Sequence, residues 1–259
     1  MAKAVRKSPV KNPGKSPAKS PGKSPAKSPA KSPSQSPSNA LGTGQSLQHF
    51  NLLELQQYTK EKIYSTDASK DFHLFYVGRD DVHDILKYVL SRTTVSLYLN
   101  MFGYDDDELN QILWAKALDP SVTMLITLDS SQANGKHEKA LLASDIASNP
   151  TAYNTHFVVG TSSTGQISHT KGFVADGKVA AEGSTNWSTS GEGTFIVTGQ
   201  PGGPGYKAQN NTQSVITDMD TISRFTAELI SEHMAAQSLA KPQPKSVQKV
   251  PIGTPRKPQ

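Results

Sequence analysis

The sequence predicts an α/β fold: a mixed or parallel β-sheet flanked by helices, with a disordered basic tail at each end. Three observations predict it. Strand-like and helix-like apolar patterns alternate through the middle of the chain. Near the N-terminus a proline recurs every fourth residue with almost nothing apolar to bury. Charge is segregated: residues 1–40 hold nine Lys or Arg and no acid, residues 241–259 hold five and no acid, and the middle holds all 22 acids against 13 bases. The net charge of +5 therefore describes an acidic body between two basic tails.

Composition excludes several classes. The chain has 259 residues and no cysteine, which rules out a disulfide framework and cysteine-ligated zinc. No metal and no cofactor are expected. No run of 18 apolar residues exists, so no transmembrane helix is expected, and the basic N-terminus lacks an apolar signal core. The 35% hydrophobic content is low for one globular unit, which suits a packed body with unpacked ends. The expected boundaries are a tail over 1–42, a body over 43–238 and a second tail over 239–259.

Ser-Pro occurs at 8, 16, 20, 24, 28, 32 and 36, and Asn12-Pro13 fills the remaining slot. Lys7, Lys11, Lys15, Lys19, Lys23, Lys27 and Lys31 each precede one of these pairs, giving a K-S-P-(A/G) unit. Evenly spaced lysines neutralise phosphates without reading sequence, so the tail is expected to bind nucleic acid, DNA or RNA. Acidic phospholipid is the competing polyanion, and a solubilising linker is the plain alternative. The repeat resembles the lysine- and proline-rich tails of linker histones and bacterial histone-like proteins. In a eukaryote its Ser-Pro pairs would be sites where phosphorylation cancels the charge.

The body reads in order. Residues 46–64 suggest a helix through Leu47, Phe50, Leu53 and Tyr58. "FHLFYV" (72–77) is an apolar-aromatic strand ending at Gly78. "DDVHDILKYVLS" follows as a helix, with Val82, Ile85, Leu86, Val89 and Leu90 on one face and Asp80 as N-cap. "TVSLYLNMF" (94–102) is a strand, and "DDDELNQILWAKAL" is a helix whose acids suit its N-terminus. "VTMLITLD" (122–129) is a strand and "KHEKALLASDIA" a helix. "THFVVG" (155–160), "QISHTKGFVA" (166–175), "TFIVTG" and "QSVIT" read as strands. A helix over 219–236 turns Ile222, Phe225, Leu229 and Ile230 inward.

The chemistry gathers in "HTKGFVADGKVAAEGSTN", His169 to Asn186. On a strand, His169 and Lys171 would share a face, roughly 6.6 Å apart. Asp176-Gly177 is a favoured hairpin turn, which returns the chain to Gly183-Ser184-Thr185-Asn186. Imidazole, ammonium, hydroxyl and amide together suit a phosphate: the imidazole can attack phosphorus while Lys171, Ser184 and Asn186 hold the nonbridging oxygens. Asp176 is either an indirect orienting group or a turn residue. Trp187 reads as packing rather than substrate stacking. His169 taken alone would be compatible with a satisfied core histidine.

His169-x-Lys171-x4-Asp176-x6-Gly183-Ser184-x-Asn186 resembles the HKD signature of the phospholipase D superfamily, and the resemblance extends over roughly residues 65–235. It implies a phospholipase D-like fold and a catalytic role for His169, Lys171, Asp176, Ser184 and Asn186. It also implies metal-independent phosphodiester hydrolysis through a covalent phosphohistidine, with two motifs building one site. "HEKALLASD" (His137, Lys139, Asp145) mimics half a motif, but its spacing is wrong and it sits in a helical pattern. One complete motif then implies a homodimer, similar to the small bacterial Nuc-type endonucleases.

In those proteins a glutamate after the GSxN element orients the histidine. The matching "KAQNNTQSVI" has no carboxylate. Asn211 is the expected substitute through its side-chain carbonyl, and Glu192 is the second candidate. Tyr206 and Lys207, in a Gly/Pro-rich stretch, would contact substrate or simply lie in a surface loop.

The expected function is a nuclease, in the cytoplasm and associated with the nucleoid, or in the nucleus of a eukaryote. The alternatives are a phospholipase D-type lipid hydrolase and a non-catalytic nucleic-acid-binding protein.

Overall fold

The computed structural model describes residues 46–132, 155–161 and 167–239. The K-S-P repeat with its lysines, residues 240–259 and the helix expected at "KHEKALLASDIA" lie outside the described residues. Seven strands form one sheet: β1 Phe72–Tyr76, β2 Ser96–Met101, β3 Thr123–Asp129, β4 Thr155–Gly160, β5 Lys171–Ala175, β6 Val179–Gly183 and β7 Thr212–Ile216. Their order is β1-β7-β6-β5-β2-β3-β4. β2, β3 and β4 run parallel, and the other neighbours pair antiparallel. The mixed sheet expected from the sequence is therefore present.

The helices are α1 Val82–Ser91, α2 Asp107–Ala117, the short α3 Thr189–Glu192 and α4 Thr194–Thr198, and α5 Met219–Leu239. α1 buries Val82, Ile85, Leu86, Val89 and Leu90, as its periodicity requires. Those residues meet Leu97, Leu99, Met101, Phe173 and Val215 in the larger core cluster. On the opposite face of the sheet, Ile222 and Leu229 of α5 pack with Val174 and Ala180. Alternation along β5 and β6 thus feeds two cores, one on each face. Among the described residues no helix is long and apolar enough to cross a membrane.

Four local expectations are corrected. The N-cap of α1 is Asp81, whose side chain accepts from the Asp84 N–H. Asp80 is instead fully buried, accepting from the backbone of Tyr76 and Lys60 and pairing with Arg79 at 2.8 Å. Residues 46–64 contain two 3-10 segments, Leu47–His49 and Leu52–Tyr58, rather than one α-helix; they bury Leu47, Leu52 and Leu55. "TFIVTG" is the helix α4, not a strand, because Gly193 (φ 66°) and Gly199 (φ 67°) bracket it with left-handed turns. The strand expected over 166–175 begins only at Lys171.

Candidate active site

β5 leaves the site and β2 and β3 run toward it, so residues 167–170 meet the carboxyl ends of both parallel strands. Such ends are where α/β sheets place their functional loops. The loop is clamped from below. The buried Asp129 carboxylate accepts from the Ser168 N–H at 2.5 Å and from the Ser131 N–H at 2.8 Å. The Ser168 hydroxyl donates to Asn100 Oδ1 at 2.9 Å. These bonds replace a ladder for Ser168 and explain why the strand starts late. Replacing Asp129 by Asn puts an amide NH2 against donors. It is expected to lower stability by about 2 kcal/mol; an unchanged urea midpoint would show that the clamp carries no weight.

His169 is solvent-exposed, and its ring stands edge-on to Phe102 at 4.4 Å. Lys171 is only 4% exposed. Its ammonium donates to the His169 carbonyl at 2.8 Å and lies 4.9 Å from the centre of the Phe102 ring. No carboxylate among the described residues is within ion-pair distance. Burial lowers its pKa below the usual lysine value, against an opposing pull from Glu182.

Asn186 reaches the same segment from the other side. Gly103 packs beneath it, and a Cβ there would sit 2.8 Å from the Asn186 amide. The Trp187 N–H donates to the Gly103 carbonyl at 2.8 Å. Asn186 Oδ1 is buried with no hydrogen-bond partner. Phe102 and Gly103, at the end of β2, are thus the seam around which His169, Lys171 and Asn186 assemble. Trp187 is 1% exposed and packs edge-on against Phe173. Ser184 is exposed, and its oxygen accepts from the Thr212 N–H at 3.0 Å, leaving the hydroxyl proton to donate.

Other candidates fall elsewhere. Asp176 (φ 53°) and Gly177 (φ 60°) form the hairpin turn. That turn is at the opposite end of β5, roughly 16 Å along the strand from Lys171. The Asp176 carboxylate accepts from the backbone N–H groups of Thr94, Val95 and Ser96 and anchors the start of β2. It cannot reach His169 from there. Asn211 turns its NH2 to the Gly191 carbonyl and to Gln209, both at 3.0 Å. Glu192 is fully buried and bonds His83 Nδ1, not His169. Burial raises its carboxyl above the usual range, while neighbouring carboxylates, Glu192 first, raise His83 against the lowering effect of its own burial. The Tyr206 hydroxyl donates to the Thr189 carbonyl at 3.3 Å, whereas Lys207 is exposed.

One residue went unnoticed in the sequence. Gln213 pairs with Gly183 and with Phe75 across the sheet. Continuing the β5–β6 register by one residue sets Lys171 opposite Gly183. Paired residues share a face, so Gln213 shares that of Lys171 with only a glycine between them. Gln213 is 1% exposed and its Oε1 has no partner. The signal was available only from strand register, since Gln213 sits two residues beyond the Asn-Asn pair that drew attention.

No protein-family model matches the chain, and no curated protein sequence does. Solved structures do. NucT from Helicobacter pylori is 15% identical, with 64% of this chain and 96% of that one covered and a TM-score of 0.50. Nuc from Salmonella typhimurium, a phospholipase D family member, is 14% identical over 64% of this chain and 95% of that one, with a TM-score of 0.48. The fold is phospholipase D-like. A phosphatidylserine synthase from Haemophilus influenzae is 14% identical over 69% of this chain and 41% of that one, with a TM-score of 0.46. At such identities the phospholipase D-like likeness reaches the fold and stops there.

Proposed function

We propose that the chain is a phosphodiesterase that needs no metal for its chemistry, acting on nucleic acid as a homodimer. The observation that supports this best is the Lys171 ammonium: buried, held by a carbonyl and a ring face, and without a carboxylate partner. A buried cation in that condition is favoured when an anion reaches it. The exposed imidazole of His169 and the side-chain NH2 of Asn186, engaged only with Gln209 at 3.5 Å, complete a surface suited to a phosphodiester.

In this reading one His169 attacks phosphorus, and a P–N bond forms as the P–O bond to the leaving group breaks. His169 of the partner subunit donates a proton to the departing oxygen, then accepts one from water. That water attacks phosphorus and releases the imidazole. Lys171 and Asn186 hold the nonbridging oxygens as charge gathers on them. The basic tails recruit the polyanion, which favours nucleic acid over lipid. Among the described residues, Ile167, 56% exposed two residues before His169, is the observation on the side of a phospholipid substrate.

The deciding experiment measures cleavage of single- and double-stranded DNA and RNA, and of phosphatidylcholine vesicles, in EDTA. Wild type is compared with His169→Ala, and circular dichroism verifies both folds. Cleavage of nucleic acid by wild type, reduced by at least about 10³-fold in the variant, is expected. Equal cleavage by both proteins would overturn the assignment of His169. Cleavage of vesicles alone would replace the substrate class. Intact binding with no cleavage of any diester would make the protein a non-catalytic binder.

A further inference from the structure

A second cluster of chemistry-bearing side chains lies apart from the HKD residues. His83 on α1, Asp106 at the N-cap of α2 and Glu192 at the end of α3 each turn one ligand-type atom to a common point, all within 4.8 Å of one another. Their side chains are 10%, 11% and 0% exposed. Glu192 brings its carboxylate there. Oε2 contacts His83 Nδ1, and Oε1 is buried with no hydrogen-bond partner. An acceptor oxygen with no donor, inside a fully buried carboxylate, is a group that structures rarely leave unsatisfied.

We propose that His83 Nδ1, Asp106 Oδ2 and Glu192 bind one divalent transition-metal ion, zinc by preference, as a structural site. The surroundings are arranged as the supports of a metal site would be. His83 Nε2 lies 2.9 Å from Glu108 Oε2, and Lys87 holds the other Glu108 oxygen at 2.8 Å. A carboxylate on the far ring nitrogen places the proton on Nε2 and leaves the Nδ1 lone pair for a metal. Asp106 spends Oδ1 on the Leu109 N–H at 2.7 Å, which leaves Oδ2, 3.7 Å from His83 Nδ1, for the ion. One imidazole and two carboxylates suit zinc better than magnesium, which prefers oxygen alone, and their two negative charges neutralise the cation. The fourth position is left to water.

The ion would tie together three elements that sequence leaves far apart: Glu192 lies 109 residues after His83. α3 directly follows Asn186 and Trp187, so the tie would also fix the strip of chain that holds Asn186 over Gly103. The role is positional, and the phosphoryl chemistry assigned to His169 does not pass through it.

The test uses the full-length protein after chelation and dialysis. Zinc titration by calorimetry is expected to show one equivalent per chain. Cobalt is expected to give the visible absorption of a four-coordinate site that zinc displaces. Glu192→Gln and Asp106→Asn, which keep shape and the α2 cap, should weaken zinc by at least about tenfold, as should Glu108→Gln. His169→Ala should bind zinc as wild type does. Absence of zinc uptake and of a cobalt spectrum in the wild type would overturn the proposal, whether or not any variant folds. So would uptake unchanged in Glu192→Gln and Asp106→Asn, uptake lost with His169→Ala, or a site that takes magnesium in preference to zinc.

Discussion

Lys171→Met is expected to cut turnover by about 10²–10³-fold while leaving the fold slightly more stable than wild type. Methionine fills the space of the lysine stem without a charge. Loss of the one buried cation at the site should cost about 10²–10³-fold in kcat, the range found when a charge-stabilising donor is removed. The same change relieves the cost of holding an ammonium 4% exposed with no carboxylate beside it, so stability should rise by about 1 kcal/mol. Because the folded pKa of Lys171 lies below its unfolded value, the wild-type penalty is complete at neutral pH and fades as the pH climbs past the folded value. The variant should lack that slope. Hydrolysis of bis(p-nitrophenyl) phosphate and melting curves at pH 7 and pH 10 read both effects. A variant that loses stability and keeps its kcat would make Lys171 a packing residue.

Asp176→Ala should do the reverse, costing about 3 kcal/mol of stability and leaving kcat where it was. Its carboxylate gathers three successive backbone N–H groups and the Thr94 hydroxyl, the last at 3.0 Å. Charge-assisted bonds of this kind are worth about 1.5–3 kcal/mol in all, and alanine at φ 53° adds about 1 kcal/mol of backbone strain. For a body of this size the melting temperature should fall by roughly 6–12 °C. Asp176→Asn, which tolerates the left-handed turn, should lie between. A kcat reduced a hundredfold in a folded Asp176→Ala would mean that the carboxylate acts on the imidazole after all, across the length of β5.

The two variants separate what the sequence could and could not reveal. Period-2 and period-3.6 patterning located β1, α1, β2, α2 and β3, and the apolar runs around Asp176-Gly177 located the β5–β6 hairpin, because burial writes itself into local order. It failed at α4. There Thr-Phe-Ile-Val carries strong strand propensity, yet two left-handed glycines turn the segment into a helix. It failed at Ser168, where a tertiary clamp replaced the ladder. Within the signature, His169, Lys171 and Asn186 were legible as a group. Asp176 was legible as a turn, and its distance from the imidazole became clear only with the strand in place. The pairing of Glu192 with His83 had no local trace at all, nor did Gln213, whose relation to Lys171 exists only through sheet register.

The way the Ser168 clamp is wired bears on how the protein assembles. The hairpin carrying the signature closes over the three residues 176–178, whereas Asn100 and Asp129 lie 68 and 39 residues upstream of the Ser168 they grip. Closing such loops costs chain entropy before any contact rewards it, and non-local pairing of this sort sets the pace of folding. A chain caught partway therefore carries the hairpin but has not yet placed His169, the nucleophile of the proposed reaction. The placement of the 167–170 loop is thus bound to long-range closure, whereas the hairpin beside it needs only local contacts.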